Sequence, residues 1–452
     1  GIGNGPCPSG PPPFSPGATA GSLNSNGGSY TPFYLHLTRE DDEQEITSYS
    51  AVLPNGITGR LAGIPFCSDG AIEAARGRGG FAETENPSCP AASRIGRTLS
   101  GYGIGSVLSY APGSIYLAGP YHGQPLSIVT VNAATVGPFD LGTIVIRSAF
   151  EVDPETAQLR IDARGSDPIP HILEGIPLHL RDIRVYMDRP EFTRNPTSCR
   201  PSEVLSTLTG AGARFGDPGD DTTATVSSYF QLLSCREFGF RPKLGLRLRG
   251  GSRRGQHPSL RATFAARAGD ANLQRIAVTL PHSLFLAQNH IRSICTKVQF
   301  SAGKCPADSA YGRAVAYTPL FDEPLRGLVY LRSTTCAKAC LPDLVASLYS
   351  GSVHIVLRGR IGPAKQGIQT FFSGLPDAPI DRFVLTMNGG RRGLLVNSAN
   401  ICADPPLASV TALGQNDVGR VFTTKLRGQC RGKSKKRKGK RGHTPPRERG
   451  ER

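Results

Sequence analysis

Short runs that alternate apolar and polar residues recur along almost the whole chain. SYTPFYLHL (29–37), EQEITSYSAVLP (43–54), SIVTVNA (127–133), GTIVIRSAF (142–150), AQLRIDA (157–163) and IRVYMD (183–188) each read with a period of two. Gly, Pro, Asn or Asp separates most of them, as at the Pro54-Asn55-Gly56 turn. In GTIVIRSAF the period sends Ile144, Ile146 and Ser148 to one side and Val145, Arg147 and Ala149 to the other, the register of an antiparallel sheet. One of few helical candidates is DGAIEAAR (69–76), with Asp69 as the expected N-cap. The spacing predicts an all-β chain of tandem, Ig-like β-sandwiches.

The pattern occurs twice. DPIPHILEGIPLHLRDIRVYMDRPEFTRNPTSC (167–199) returns, reworded, as GIQTFFSGLPDAPIDRFVLTMNGGRRGLLVNSANIC (367–402). Both copies hold a Gly-x-Pro corner (Gly175-Ile176-Pro177 and Gly374-Leu375-Pro376), then an alternating strand, then an Asn ahead of a Cys (Asn195 to Cys199, Asn397 to Cys402). Met187 and Met387, the only two methionines, occupy the same place in each. CPAASRIGR (89–97) matches CPADSAYGR (305–313) at six of nine positions, and SIYLAG (114–119) parallels LVYLRS (328–333). These correspondences predict two duplicated units, about 31–240 and 241–431. Two sets of strands around the Cys-Pro turn suggest dividing each again, into β-domains at 31–112 and 241–318 and β-sandwiches at 113–240 and 319–431. Residues 1–30 read as a Gly/Pro-rich connector.

Composition changes this picture only at the ends. Glycine (54) and proline (37) are abundant without a short period, which suits turn-dense β structure, and tryptophan is absent. The net charge of +17 is uneven: residues 431–452 hold 11 Lys/Arg against Glu448 and Glu451. That tail has no apolar face and is expected to be disordered. It is expected to bind anionic cell-envelope polymers through Lys433, Lys435, Lys436, Arg437, Lys438, Lys440 and Arg441. It interleaves no aromatic residue for base stacking, so sequence-specific nucleic-acid binding is not expected. No apolar run reaches the roughly 20 residues that span a bilayer as a helix. The chain begins at Gly1 without an initiator Met, which reads as a processed or truncated piece with any export signal upstream.

Eleven cysteines follow the duplication. Cys67 and Cys89 correspond to Cys295 and Cys305, and Cys199 and Cys235 to Cys402 and Cys430. Their recurrence in pairs predicts the disulfides Cys67–Cys89, Cys199–Cys235, Cys295–Cys305 and Cys402–Cys430 of an exported protein. Cys336 and Cys340, in CAKAC, form a further expected pair found in the second unit alone, and Cys7 is left for a partner outside the chain. Zinc is disfavoured: the pairs lack CxxC spacing and no histidine recurs beside them.

Catalytic motifs are missing. There is no G-x-S-x-G and no H-E-x-x-H, and Gly432-Lys433-Ser434 has Arg427 where a phosphate-binding loop needs its first glycine. GRTLSGYGIGS (96–106) reads as a flexible hairpin. His171 and His179, near Glu174 and Asp182, have no counterpart in the second copy, and His282 and His290 flank a short turn; all read as structural. The acidic runs Glu40 to Glu45 and Asp217 to Asp221 lack the spacing of a calcium loop and read as solvated turns, the second with calcium as its alternative.

PCPSGPPPFSPG, SIYLAGP, DPIPHILEGIPL, NPTSC, LPDLVASL and the LLVNS…C close together resemble a family of large secreted multi-domain β proteins of high-GC Gram-positive soil bacteria. The resemblance implies an exported protein of which this is the C-terminal part, and CAKAC departs from it. It brings no activity. The expected role is a non-catalytic extracellular structural or adhesion protein of the cell surface, with no cofactor or metal. Upstream domains or neighbouring copies are its expected contacts. The alternative is a cell-envelope carbohydrate-binding or hydrolase-accessory protein, which the lack of tryptophan disfavours.

Overall fold

In the computed structural model, residues 11–212, 220–334, 341–365, 367–403 and 406–430 are described. The chain is all-β. Its first unit holds eleven ladder strands: β1 (Gly17–Ser22), β2 (Phe33–Thr38), β3 (Ile46–Val52), β4 (Arg94–Tyr102), β5 (Ser109–Ala118), β6 (Leu126–Val136), β7 (Phe139–Val152), β8 (Leu159–Asp162), β9 (Leu180–Met187), β10 (Ser202–Gly210) and β11 (Thr222–Phe230). The second holds eleven more: β12 (Lys243–Arg249), β13 (Ser259–Ala265), β14 (Leu273–Pro281), β15 (Ala310–Tyr317), β16 (Leu325–Arg332), β17 (Asp343–Ser350), β18 (Val353–Ala364), β19 (Gly367–Phe372), β20 (Arg382–Met387), β21 (Leu407–Gly414) and β22 (Gly419–Arg427).

The first ladder runs β1-β2-β9-β4-β5-β6-β7-β8-β3-β10-β11 and the second β12-β13-β20-β15-β16-β17-β18-β19-β14-β21-β22. Adding eleven to every label of the first gives the second. Register agrees as well. Met187 lies opposite Phe33 on β2, and Met387 opposite Leu260 on β13. Both β4 and β15 carry an irregularity just before a glycine, Gly96 and Gly312. A Cβ on either would stand 2.3 Å and 2.6 Å from a carbonyl oxygen of the neighbouring strand, so no side chain fits.

Closure differs slightly. In the second unit β12 pairs in parallel with β22 (Leu246 with Leu426), which makes a closed barrel, and Thr424 Oγ1 donates to Leu244 O at 2.8 Å. In the first, a side chain bridges the two edges: Ser228 Oγ accepts from Ala20 N at 3.2 Å and donates to Ala18 O at 3.1 Å.

Two sequence expectations differ from this layout. A division at 112/113 falls inside β5, and strands on both sides of 112/113 and of 318/319 join one ladder, so each unit is a single eleven-stranded sheet where a β-domain followed by a β-sandwich was expected. Regularly spaced antiparallel strands read alike in sandwiches and barrels, because only long-range pairing separates them. The expected connector, 1–30, contains β1. GATAGS shows no hydrophobic alternation; its small Ala18 and Ala20 are buried where the two sheet edges approach each other.

Helix α1 (Asp69–Arg76) has the expected bounds, but its cap is Ser68, whose side chain accepts from Ala71 N, and Asp69 falls in the first turn. Ile72 and Ala75, three apart, pack on the outer face of the sheet over Val129, Val131 and Val145. Both faces of β7 are therefore covered: Val145 and Ala149 lie buried, while Ile144, Ile146 and Phe150 are half-buried.

Four disulfides are formed, Cys67–Cys89, Cys199–Cys235, Cys295–Cys305 and Cys402–Cys430, with Cα separations of 5.2 to 5.6 Å. Cys67 N donates to Leu117 O and Cys295 N to Leu331 O, both at 2.8 Å, so the two bridges staple equivalent strands β5 and β16. Cys7, Cys336 and Cys340 lie outside the described residues. The two asparagines that close the copies are also equivalent. Asn195 Nδ2 donates to Asn24 O and Asn26 O, and Asn397 Nδ2 to Gly251 O and Arg253 O, each holding the loop ahead of its unit's second strand.

Candidate functional site: a shared apolar interior and a buried carboxylate

The units stack head to tail. Strands β4, β6 and β8 run away from the second unit and β5, β7 and β9 towards it, so the loops after β5 and β7 and around 54–63 meet the second unit. Leu61 N and Ala62 N donate to Leu320 O, Val356 N to Pro154 O, and Ser352 Oγ to Pro125 O. Gly63 N is within 3.1 Å of the Asp322 carboxylate.

Buried in this seam sits Asp377, directly after the second Gly-x-Pro corner, where Gly374 has φ +66°. Its Oδ1 accepts from Thr197 Oγ1 (2.8 Å) and Asn272 Nδ2 (2.7 Å), and its Oδ2 from Thr197 N (2.8 Å) and Ser198 N (2.9 Å). Asn272 N in turn donates to Thr197 Oγ1 at 3.0 Å. The carboxylate thus receives donors from both units. Gly56, at φ +90°, makes the approach feasible, since a Cβ there would lie 2.8 Å from Asp377 Cβ. Burial pushes the Asp377 carboxyl above its ordinary value, and the hydrogen bonds from Asn272, Thr197 and Ser198 pull it back part of the way.

Around this seam the two interiors are continuous. A cavity of about 350 Å³ runs through the second barrel, past Leu61 and Leu320, to Leu126, Ile128 and Phe150 inside the first sheet. No charged side chain lines it, and its side-chain polar groups are hydroxyls such as those of Thr58, Thr193, Thr318 and Thr370. Ligand pockets commonly fall between about 300 and 1,000 Å³ and are mostly apolar. Ile355, Ile361, Ile368, Phe372, Phe383 and Leu385 pack against the buried core, yet remain only partly buried.

A second polar cluster lies on the outer face beneath α1. Arg147, buried, donates to Asp69 Oδ1 (2.8 Å), Ser127 Oγ (2.9 Å) and the carbonyls of Gly119 and Pro120, and its guanidinium stands 4.3 Å over the Tyr121 ring. Asp167, the first residue of the repeated stretch, accepts from Tyr121 Oη, Arg147 N and Arg76 Nη2. Partial burial works against ionisation of Asp167, but the bonds from Tyr121, Arg147 and Arg76 outweigh it and hold the carboxyl below its ordinary value. A carboxyl depressed in the folded state stabilises above its unfolded value, and that contribution is lost as pH falls through the lower folded value. The thermal midpoint of the wild type is therefore expected to exceed that of Asp167→Asn by a constant margin above about pH 4, shrinking below it. A margin that grows on acidification would contradict this.

The histidines of the first Gly-x-Pro corner gather at the outer end of the first unit. His179 Nδ1 stands 3.1 Å from Glu45 Oε1, and Glu45 also pairs with Arg39. Burial lowers the pKa of His171, against the pull of Glu45. Asp182 pairs instead with His36 (3.2 Å) and Arg184 (2.9 Å). In the second unit His257 and His290 stack at 4.0 Å, their Nδ1 atoms on the carbonyls of Leu395 and Gly393, while His282 uses its carbonyl to accept from Ser398. The Glu40 to Glu45 run is tied to backbone donors and arginines: Glu43 accepts from Ser15 N and Glu40 N, and Asp41 from Gly105 N. Asp217 lies outside the described residues, as does the whole basic tail from Arg431. Among the described residues, no three His, Cys, Asp or Glu side chains are placed to hold a metal ion.

Sequence reasoning passed over Asp377, Arg147 and the interior. The one available signal for Asp377 was a difference between copies: the residue after the Gly-x-Pro corner is Leu178 in the first and an acid in the second.

No family model and no curated protein matches this chain. A solved structure from Corynebacterium diphtheriae, of a protein described as membrane anchored, aligns over 91% of both chains at 9% identity with a TM-score of 0.18. A score that low shows neither a shared fold nor a shared role. Among the described residues no helix is long and apolar enough to cross a membrane.

Proposed function

We propose that this chain is an exported, non-catalytic structural or adhesive protein of the cell surface, made of two tandem copies of one barrel held as a single stiff segment. The observation that supports this most directly is the head-to-tail junction with Asp377 buried in it, where one carboxylate takes donors from both units. Four disulfides suit folding in an oxidising compartment. A head-to-tail contact between like units does not close on itself, which suits an extended scaffold. The outer end of the first unit presents Ile104, Val107, Phe139, Ile172 and Ile176, all exposed, to whatever lies beyond it.

Protease treatment of intact producing cells tests the location: the chain is expected to be cleaved from the surface while cytosolic markers survive. Recovery of intact chain with the cytosol overturns the proposal. The tail gives a second test. Deleting residues 432–452 is expected to leave the thermal midpoint unchanged. Retention on a phosphate-rich polymer is expected to fall to background, and retention of the full chain to drop steeply with added salt. Salt-resistant retention, or retention without the tail, assigns polymer binding to the folded units instead.

A further inference from the structure

We propose that the interior shared by the two units is a binding site for one unbranched hydrocarbon chain, the acyl chain of a lipid. This goes beyond the scaffold role and stands or falls separately from it.

The chemistry of the lining comes first. Inward positions alternate with a period of two: Val278 and Leu280 on β14, Ile355 and Leu357 on β18, Ile368 and Phe372 on β19. No charged group and only scattered hydroxyls reach the space, so a polar headgroup placed inside would lose its hydration without compensation. Water fares little better, because a buried water needs two to four polar partners and this wall offers only scattered hydroxyls. The surface suits hydrocarbon.

The shape then selects among hydrocarbons. Along β18 alone the lining extends from Val353 to Ile361, about 27 Å of strand at roughly 3.4 Å per residue. It continues past Leu320 at the seam to Ile128 and Phe150 in the first unit. The lining thus runs along the second unit and into the first. A flexible, extended chain can follow such a lining over its length. The hydrogen bonds of Leu61, Ala62, Ser352 and Val356 hold the two units together where the lining passes from one to the other.

The test uses the full chain and the fluorescent fatty acid cis-parinaric acid, displaced by saturated fatty acids of increasing length. Saturable one-to-one binding is expected, with affinity tightening about fourfold for each added methylene until the space is full. The thermal midpoint of the wild type should rise with fatty-acid concentration. Ala262→Trp, which fills the lumen from β13, is expected to weaken probe binding at least tenfold with the circular dichroism spectrum retained. Arg261→Ala, the neighbouring outward position, should bind as the wild type does. Uptake from phosphatidylglycerol vesicles identifies a membrane lipid as the source, and uptake of free acid alone a soluble one. Non-saturable binding, displacement that ignores chain length, or undiminished binding by a folded Ala262→Trp overturns the proposal. Should that variant fail to fold, a wild-type midpoint unmoved by fatty acid overturns it equally.

Discussion

Replacing Asp377 with alanine is expected to separate the two units energetically. The substitution leaves four donors at the seam without their acceptor: Thr197 N, Thr197 Oγ1, Ser198 N and Asn272 Nδ2. An unsatisfied buried donor costs about 1–3 kcal/mol, and at the low end of that range the four together cost about 4 kcal/mol. Because three of the four donors, all but Asn272 Nδ2, lie in the first unit, the loss falls on coupling between units more than on either unit alone. Calorimetry should resolve two transitions where the wild type gives one, and paired spin labels across the seam should report a broader distance distribution. Asp377→Asn keeps the shape and exchanges one acceptor for a donor, so about half the effect is expected. Burial raises the folded-state pKa of this acid, so the stability it contributes is fully present below its unfolded value near 3.8 and declines as pH rises through the raised folded value. The asparagine variant should lose that part of the pH dependence. Arg200→Ala is the control, since its pair with Asp417 is exposed on both sides and worth little. A single, unshifted transition in Asp377→Ala would mean that the seam is held elsewhere.

How much of this was open to sequence reasoning depended on how local the signal was. Met187 and Met387, the four cysteine pairs and the alternating strands are written in neighbouring residues, and the structure places them at matching positions. The bracket formed by Asn195 and Asn397 was visible as a recurrence, though its purpose, tying down a loop more than a hundred residues away, was not. Closure into one ladder rests on pairings such as β3 with β10, over 150 residues apart, which no local pattern encodes. β1 was hidden because alanine and glycine in GATAGS fill a tight approach and give no alternation. The cavity was hidden for the opposite reason. Ile355 and Phe372 alternate as any core strand does, and only the assembled barrel shows that their inner face borders open space.

Equivalent positions also diverge in informative ways. Arg147 and Arg358 correspond along β7 and β18, but Arg147 is held by Ser127, Asp69 and two carbonyls, while Arg358 pairs with Asp343. Asp343 stands where the first unit has Ser127. One barrel thus neutralises its arginine through a helix laid over the sheet and the other from within the ladder. The scaffold tolerates either solution because each leaves the inner face of the sheet untouched.

Removing the disulfides one pair at a time should reveal a gradient set by loop length. Cys199–Cys235, Cys402–Cys430, Cys67–Cys89 and Cys295–Cys305 close loops with separations of 36, 28, 22 and 10 residues. In the chain-entropy account each bridge stabilises by restricting the unfolded chain, so double Cys→Ala variants should lose about 3.8 kcal/mol for the longest loop and about 2.7 kcal/mol for the shortest. Two of the bridges provide an internal control. Cys67–Cys89 and Cys295–Cys305 staple the same place in equivalent barrels, with the same 5.2 Å Cα separation and the same backbone bond to the neighbouring strand. Their native-state contributions should therefore nearly cancel in the comparison. What is left is a twofold difference in loop length, worth about 0.6 kcal/mol. Denaturant unfolding of the two variants under non-reducing conditions measures it. A larger loss from Cys295–Cys305 would show that native packing around the bridge, and not restriction of the unfolded chain, sets what each staple contributes.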